Sequence, residues 1–179
     1  MTRFAQSGYH GTPMAEIARD VGLTFRGLLH HFPSKRLLVV AVAEQRFEDA
    51  RLFVESAFAS DENARALSVL EALTERFASQ PGLIELSMLV AAEATATDTP
   101  ARDMLTERYE LGLSLLTGGL LRDQRAARIR ADLDCETLAR RCIATCDGLL
   151  FDWIQSGRNF DVMSVVRDFI ADTERAIAV

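Results

Sequence analysis

The sequence predicts an all-α fold, and three observations support this. Apolar residues recur at helical spacing along the chain, as in Met14, Ile17, Ala18 and Val21. No segment shows the apolar–polar alternation of a half-buried strand. Glycine (10) and proline (4) are also scarce for a fold built on many turns.

Cap and breaker residues place the first two helices. Thr12 is a good N-cap. Pro13 suits the first helical position, because an N–H there would have no partner within the helix and proline has no N–H. Gly22 ends this helix, since glycine readily adopts positive φ. Thr24 can then cap a second, short helix that Pro33 ends.

The remaining chain divides into six further helices by the same signals. Ser34, Asp134 and Asp161 are expected to begin three of them, and Gly118 and Gly119 are expected to weaken one. The six helices are expected at about 34–58, 64–79, 83–96, 101–125, 135–156 and 161–177.

The composition excludes several classes of protein. The apolar content of 49% is too high for a disordered chain, and no uncharged apolar run approaches the ~20 residues of a membrane span. The first residues lack a basic stretch followed by an apolar core, so we expect no secretory signal. Three cysteines fit a reducing compartment, and we expect the protein in the cytoplasm.

Charge is unevenly distributed along the chain. Residues 1–46 hold six basic and three acidic side chains, a net charge of +3, whereas residues 47–179 hold 14 basic and 23 acidic side chains, a net charge of −9. A basic end on an acidic body can direct nucleic acid to one face, although chance variation explains the same numbers.

Residues 14–32 meet the requirements of a helix-turn-helix. Ala18 is small enough to let the second helix approach, Gly22 occupies the turn, and Leu23 can fill the corner between the helices. Leu28 and Phe32 can then hold the second helix against the first. This helix would present base-contacting residues to the major groove, namely Thr24, Phe25, Arg26, Gly27, Leu29 and His30. On spacing alone, a plain helical hairpin remains the alternative.

A longer motif runs through the same region. It comprises Gly8-Tyr9-His10-Gly11-Thr12-Pro13-Met14, Ile17-Ala18, Val21-Gly22-Leu23-Thr24, Leu28 and His30-His31-Phe32-Pro33-Ser34-Lys35. The motif closely resembles the TetR family of bacterial transcriptional regulators over about residues 4–42. A second stretch, from Asp132-Leu133-Asp134 through Asp147-Gly148-Leu149 to Trp153, is similar to the penultimate helix of many members.

The resemblance implies a DNA-binding domain over residues 1–45 and a ligand-binding and dimerisation domain over residues 46–179. It implies a homodimer paired through helices 135–156 and 161–177. Thr12 and Lys35 would contact phosphate, and residues from Thr24 to His31 would face the groove. We therefore expect a ligand-responsive regulator, a repressor that binds a palindromic operator and is released by an unknown small-molecule effector.

Three departures from the family motif favour an alternative. Leu29 stands where a tyrosine is usual, Phe25 stands where a lysine or another polar residue is common, and the first helix is nearly absent, so that we expect it truncated. The first two changes remove polar DNA contacts, although either side chain can touch a thymine methyl. The alternative is a small-molecule-binding dimeric helical protein with impaired or lost DNA binding.

No catalytic signature or cofactor motif is present, so we expect neither an enzyme nor a cofactor. Glu93, in an otherwise apolar helix, either binds a polar or cationic effector or faces solvent. Five other residues can line an apolar ligand cavity or belong to ordinary core or interface: Phe77, Met88, Met104, Tyr109 and Trp153.

Cys142 and Cys146 share a helix face but lack further ligands nearby, which favours core packing over zinc. The adjacent pair His30 and His31 diverges too far on a helix to favour a metal site.

Overall fold

The computed structural model describes residues 1–94 and 100–179, except for the side chains of residues 93 and 100. The described residues form helices without a strand, which confirms the all-α expectation. The helices are α1 (Thr2–Ser7), α2 (Met14–Asp20), α3 (Phe25–His31), α4 (Lys35–Ser60), α5 (Ala66–Ala78), α6 (Pro81–Ala94), α7 (Pro100–Arg125), α8 (Cys135–Gln155) and α9 (Val162–Ile177).

Side-chain caps set several helix starts, as the sequence indicates. The carboxylate of Asp134 accepts hydrogen bonds from the amides of Glu136 and Thr137 at 3.1 Å. Such a cap satisfies N–H groups that have no partner within the helix, and it contributes about 0.5–2 kcal/mol. The same role is filled by Thr24, Ser34 and Asp161.

Helix α7 continues through its two glycines, where the sequence indicates a weak point. A Cβ on Gly119 would lie 2.8 Å from Cζ of Phe58 and 3.0 Å from Cβ of Ala66. Glycine at this position therefore allows the close approach of these two side chains to the α7 backbone.

The described residues divide into two compact units. The first contains Met1–Glu48 and Gln80–Leu105, and the second contains Asp49–Ser79 and Thr106–Val179. The domain boundary after residue 45 that the sequence suggests stays a prediction. No described helix is long and apolar enough to cross a membrane.

One hydrophobic core runs through the first unit. It joins α1, α4, α6 and the first residues of α7, and side chains of α2 and of the segment after α3 pack against it. Its buried residues are Phe4, Leu38, Val39, Ala43, Leu83, Leu86, Val90, Ala101 and Met104. The N-terminal helices thus share their interior with α6.

Helices α1 and α6 approach each other at Gly82. A Cβ on Gly82 would lie 2.2 Å from the carbonyl oxygen of Phe4 and 2.8 Å from that of Ala5. These are backbone atoms, which cannot rotate away as a side chain does. Only glycine fits between the two helices at this point.

In the second unit, a buried carboxylate ties α5 to the end of α7. Asp123 accepts hydrogen bonds from the amide of Ala66 at 2.9 Å and from the guanidinium of Arg128 at 2.9 Å. Arg128 also donates to the side chain of Asn63 at 3.1 Å. A buried carboxylate with two partners satisfies the rule that buried charges are paired.

Candidate nucleic-acid interface

The segment from α2 to α3 forms a helix-turn-helix. Gly22 adopts φ +71°, a conformation open to glycine at little cost, and the amide of Leu23 donates to the carbonyl oxygen of Ala18 at 2.8 Å. Ala18 and Leu28 are both buried, and α2 packs against α3. Ala18, Gly22 and Leu28 therefore lie as the spacing indicates, whereas Phe32, the other expected lock residue, is half-buried and packs against the core of the first unit.

Two residues near the turn were expected inside and lie outside. Val21 is 60% exposed and Leu23 is 40% exposed, so neither completes the apolar face or fills the corner as expected. The reason is local: α2 ends at Asp20, and Val21 has already left helical geometry at ψ +8°. The 3.6-residue periodicity that predicted its direction no longer applies there.

Thr12 has a different local role from the expected cap. The carbonyl oxygen of Pro13 accepts the first amides of α2, and no side chain caps that helix. The Thr12 hydroxyl is fully buried and donates to the carbonyl oxygen of Gly8 at 2.7 Å and to that of Arg3 at 3.4 Å. It holds the loop before α2 against α1. The phosphate contact that the resemblance implies for Thr12 stays a prediction.

Helix α3 presents two strips of side chains to solvent. Phe25 is 50% exposed, and Leu29, one turn later, is half-buried. Arg26 and His30 are exposed and also lie four residues apart, a spacing that places side chains on one helix face. The result is an apolar strip beside a strip of nitrogen donors.

The remaining predicted α3 residues lie around these strips. Thr24 accepts a hydrogen bond from the amide of Gly27 at 3.0 Å, which uses its oxygen as a cap. His31 is exposed, and its ring packs edge-on against that of His30 with centroids 5.6 Å apart. The DNA contacts expected of these residues stay predictions.

Lys35 lies at the start of α4 and is fixed against the loop after α1. Its Nζ donates to the carbonyl oxygen of Tyr9 and lies 4.3 Å from the centroid of the Tyr9 ring. Partial burial lowers the pKa of Lys35 from its usual range. The geometry gives the ammonium a defined position at the edge of the helix-turn-helix.

The ion pairs between α1 and α2 were not predicted from the sequence. The Arg3 guanidinium binds the carboxylates of Glu16 and Asp20, and this hydrogen bonding holds the pKa of Asp20 below its usual range. Partners 13 and 17 residues apart leave no periodic signal in a sequence. These pairs orient α1 on the helix-turn-helix.

The predicted ligand-binding residues occupy varied environments. Met104 belongs to the core of the first unit, while Tyr109 is exposed. Phe77, Met88 and Trp153 are half-buried, and the side chain of Glu93 lies outside the described residues. Their ligand role stays a prediction.

An open cleft lies in the second unit. It measures about 600 Å³ and is lined by Asp49, Leu52, Phe53, Ser56, Ala57, Ser60 and Arg76. None of the six predicted ligand-binding residues lines it. Six of these positions, from Asp49 to Ser60, follow helical spacing on one face of α4. Arg76 lies on α5, and its position at the cleft depends on how the two helices pack.

Cys142 and Cys146 are buried side chains of α8. Burial raises the pKa of each thiol to about 11, which disfavours the thiolate that zinc requires. Among the described residues, no three histidine, cysteine or acidic side chains converge as a metal site. Core packing is the role that the structure gives both cysteines.

The N-terminal residues are similar to those of known proteins. Residues 1–42 match the family model described as bacterial regulatory proteins, tetR family. A stretch of 42 residues is 45% identical to the HTH-type transcriptional regulator RutR of Escherichia coli K12, and the match covers 24% of this chain and 20% of that protein.

Solved structures resemble nearly the whole chain. The transcriptional regulator FadR from Bacillus subtilis, in complex with stearoyl-CoA, superposes with a TM-score of 0.69 at 18% identity, covering 94% of this chain and 90% of that one. A regulator from Saccharomonospora viridis, in complex with choline, gives a TM-score of 0.73 at 24% identity, covering 98% and 92%. At these identities the likeness concerns the fold.

The helix-turn-helix formed by α2 and α3 is followed by further helices over the rest of the described chain. Residues 1–42, which include this motif, are similar to the bacterial regulatory proteins of the tetR family. Over nearly the whole chain, the solved structures show a shared fold.

Proposed function

We propose that the protein is a ligand-responsive repressor. Two copies form a homodimer, and their α3 helices enter successive major grooves of a palindromic operator. A small-molecule effector bound by residues 46–179 favours a conformation with a different spacing of the two α3 helices, and the operator is released. The chain has no catalytic activity in this role and, because its partner is chromosomal DNA, acts in the cytoplasm.

The shared core of the first unit is the observation that carries the proposal. Helix α6 packs on α1 at Gly82 without room for a Cβ, and Phe4 of α1 and Leu83 of α6 belong to the same core. A densely packed core transmits displacement because it cannot absorb it. A shift of α6 on effector binding would therefore move α1, and with it the helix-turn-helix.

Release of the operator follows from the effector's different affinity for two conformations. An effector shifts the equilibrium only as far as it binds one conformation better than the other. Helix α4 begins at Lys35, so a tilt of that helix would displace the proposed phosphate contact directly. Effector binding would thus act on both α3 and Lys35.

Apolar side chains on α8 and α9 support the homodimer. Val165 is 40% exposed, and Phe169, one turn later on α9, is half-buried. Leu149 and Trp153 are spaced in the same way on α8 and are also half-buried. A twofold contact covers such surfaces on both copies at once. Replacing Val165 by aspartate should shift the dimer toward monomer in light scattering.

Two effector chemistries can be tested directly. The relatives described above were solved with stearoyl-CoA and with choline. For this chain, the apolar residues Met88 and Met104 favour a hydrocarbon ligand, and Glu93 favours a cationic one. Glu93→Gln distinguishes the two alternatives. If the effector is cationic, the variant should bind choline more weakly; if it is a hydrocarbon, the variant should bind an acyl-CoA as tightly as the wild type does.

The test uses a duplex selected by the protein from a pool of randomised duplexes. Fluorescence anisotropy should show tight binding that falls when stearoyl-CoA or choline is titrated. Arg26→Ala changes an exposed α3 position and should bind the duplex weakly. Its melting temperature should equal that of the wild type, which would show that the loss of binding does not come from unfolding. Failure to select any duplex, together with a melting temperature raised by one of the two ligands, would contradict the repressor and favour a ligand-binding dimer without DNA function.

A further inference from the structure

We propose that Phe25 and Leu29 set operator specificity by contacting thymine methyl groups. The inference rests on the proposed DNA-binding function and adds the base that these residues read. It concerns the two α3 positions at which this chain departs from the family motif.

The exposure of Phe25 is the first observation. Half of its surface faces solvent at the first residue of α3, although burial of a phenylalanine stabilises a fold by about 1.5–3 kcal/mol. The residues just before it, Val21 and Leu23, are also exposed. Three exposed large apolar side chains within five residues mark a contact surface.

Charge indicates which partner covers this surface. Residues 1–46 carry a net charge of +3 on a chain of net −6. Arg26 and His30 form an exposed strip directly beside Phe25 and Leu29. An apolar strip beside a guanidinium and an imidazole fits duplex DNA. Its major groove presents apolar methyl groups among polar base edges, and phosphates line the groove on both sides.

Chemistry then selects the base. Phe25 and Leu29 have no side-chain donor or acceptor, so they cannot read the hydrogen-bonding edges of guanine, cytosine or adenine. Thymine alone offers an apolar group in the major groove, its C5 methyl. Along a helix, four residues span about 6 Å, or roughly two base steps of 3.4 Å each. The two side chains therefore read thymines about one or two base pairs apart.

The experiment removes only the methyl group. The duplex selected from the randomised pool is synthesised with deoxyuridine in place of thymidine at single positions, and affinity is measured by anisotropy. We expect wild-type affinity to fall about four-fold per contacted methyl, the value of burying one such group. Phe25→Ala should lose sensitivity at one of these positions in each half of the palindrome.

Leu52→Ala provides the matched control, because Leu52 is a large apolar residue with the same 50% exposure, located on α4. It should keep the wild-type response to deoxyuridine. Tight binding that is indifferent to every deoxyuridine substitution would overturn the inference and leave the proposed function standing. Absence of any selected duplex would overturn the proposed function and the inference with it.

Discussion

The ammonium of Lys35 lies 4.3 Å above the ring of Tyr9 and donates a hydrogen bond to the carbonyl oxygen of the same residue. One side chain thus joins the first turn of α4 to the loop that precedes α2. The proposed phosphate contact and the helix that continues into the second unit meet at this residue.

Replacing Lys35 by methionine should weaken DNA binding without regard to sequence. The methionine keeps an apolar stem over Tyr9 and removes the charge that would neutralise one phosphate at each helix-turn-helix. The slope of log affinity against log salt should therefore become shallower by about one for each helix-turn-helix bound. Arg140→Met, at an exposed position of α8, is the control and should leave the slope unchanged. An unaltered slope in Lys35→Met would count against the phosphate contact.

Two glycine substitutions should have opposite effects on stability. Gly82→Ala places a methyl group against backbone oxygens of α1 and should lower the melting temperature. Gly112→Ala meets no atom within 4 Å on α7, so it should stabilise by about 0.5–1 kcal/mol through helix propensity. Thermal unfolding followed by circular dichroism compares the two. Equal stability of Gly82→Ala and the wild type would refute the close approach of α1 and α6.

Loss of the buried Asp123 carboxylate should destabilise the second unit. Asp123→Ala leaves the Ala66 amide and the Arg128 guanidinium without their acceptor, at a cost of about 2–4 kcal/mol in urea unfolding. Asp132 pairs with Arg130 at an exposed position, and exposed pairs contribute only about 0–1 kcal/mol. Asp132→Ala should therefore change little. Similar losses in the two variants would be inconsistent with the buried role of Asp123.

The buried thiols should make stability depend on alkaline pH. Burial raises the pKa of Cys142 and Cys146 from 9.0 to about 11, so the folded state favours the neutral thiol. Their contribution to stability is complete below about pH 9 and declines as the pH rises toward 11. The wild type should lose more stability over this interval than the double variant Cys142→Ala/Cys146→Ala. Parallel pH profiles would show that the thiols are not shielded as described.

The helix boundaries could be predicted because their signals are local. The caps at Thr24, Ser34 and Asp134 use a side chain and amides two or three residues ahead, so the sequence carries the whole interaction. The turn glycine, Gly22, is of the same kind. The resemblance to a family motif added the expectation that α3 faces DNA, which no spacing rule supplies and which stays a prediction.

Contacts between distant segments could not be predicted. The Arg3 ion pairs, the interaction of Lys35 with Tyr9 and the fit of Gly82 against α1 depend on tertiary packing that a single sequence does not reveal. Thr12 was predicted from a local signal and does not follow it. Its hydroxyl is buried and donates to the carbonyl oxygen of Gly8 instead of capping α2. The capping preference of a residue therefore does not decide its role when the tertiary structure provides another hydrogen-bond acceptor.

Hydroxyl-radical footprinting of the intergenic DNA beside the protein's own gene tests the paired helix-turn-helix most directly. Two α3 helices held by a twofold axis should protect two blocks of related, inverted sequence, with centres one helical turn of about 34–36 Å, or a multiple of it, apart. An unprotected region, or a single block without an inverted mate, would contradict a dimeric DNA-binding regulator.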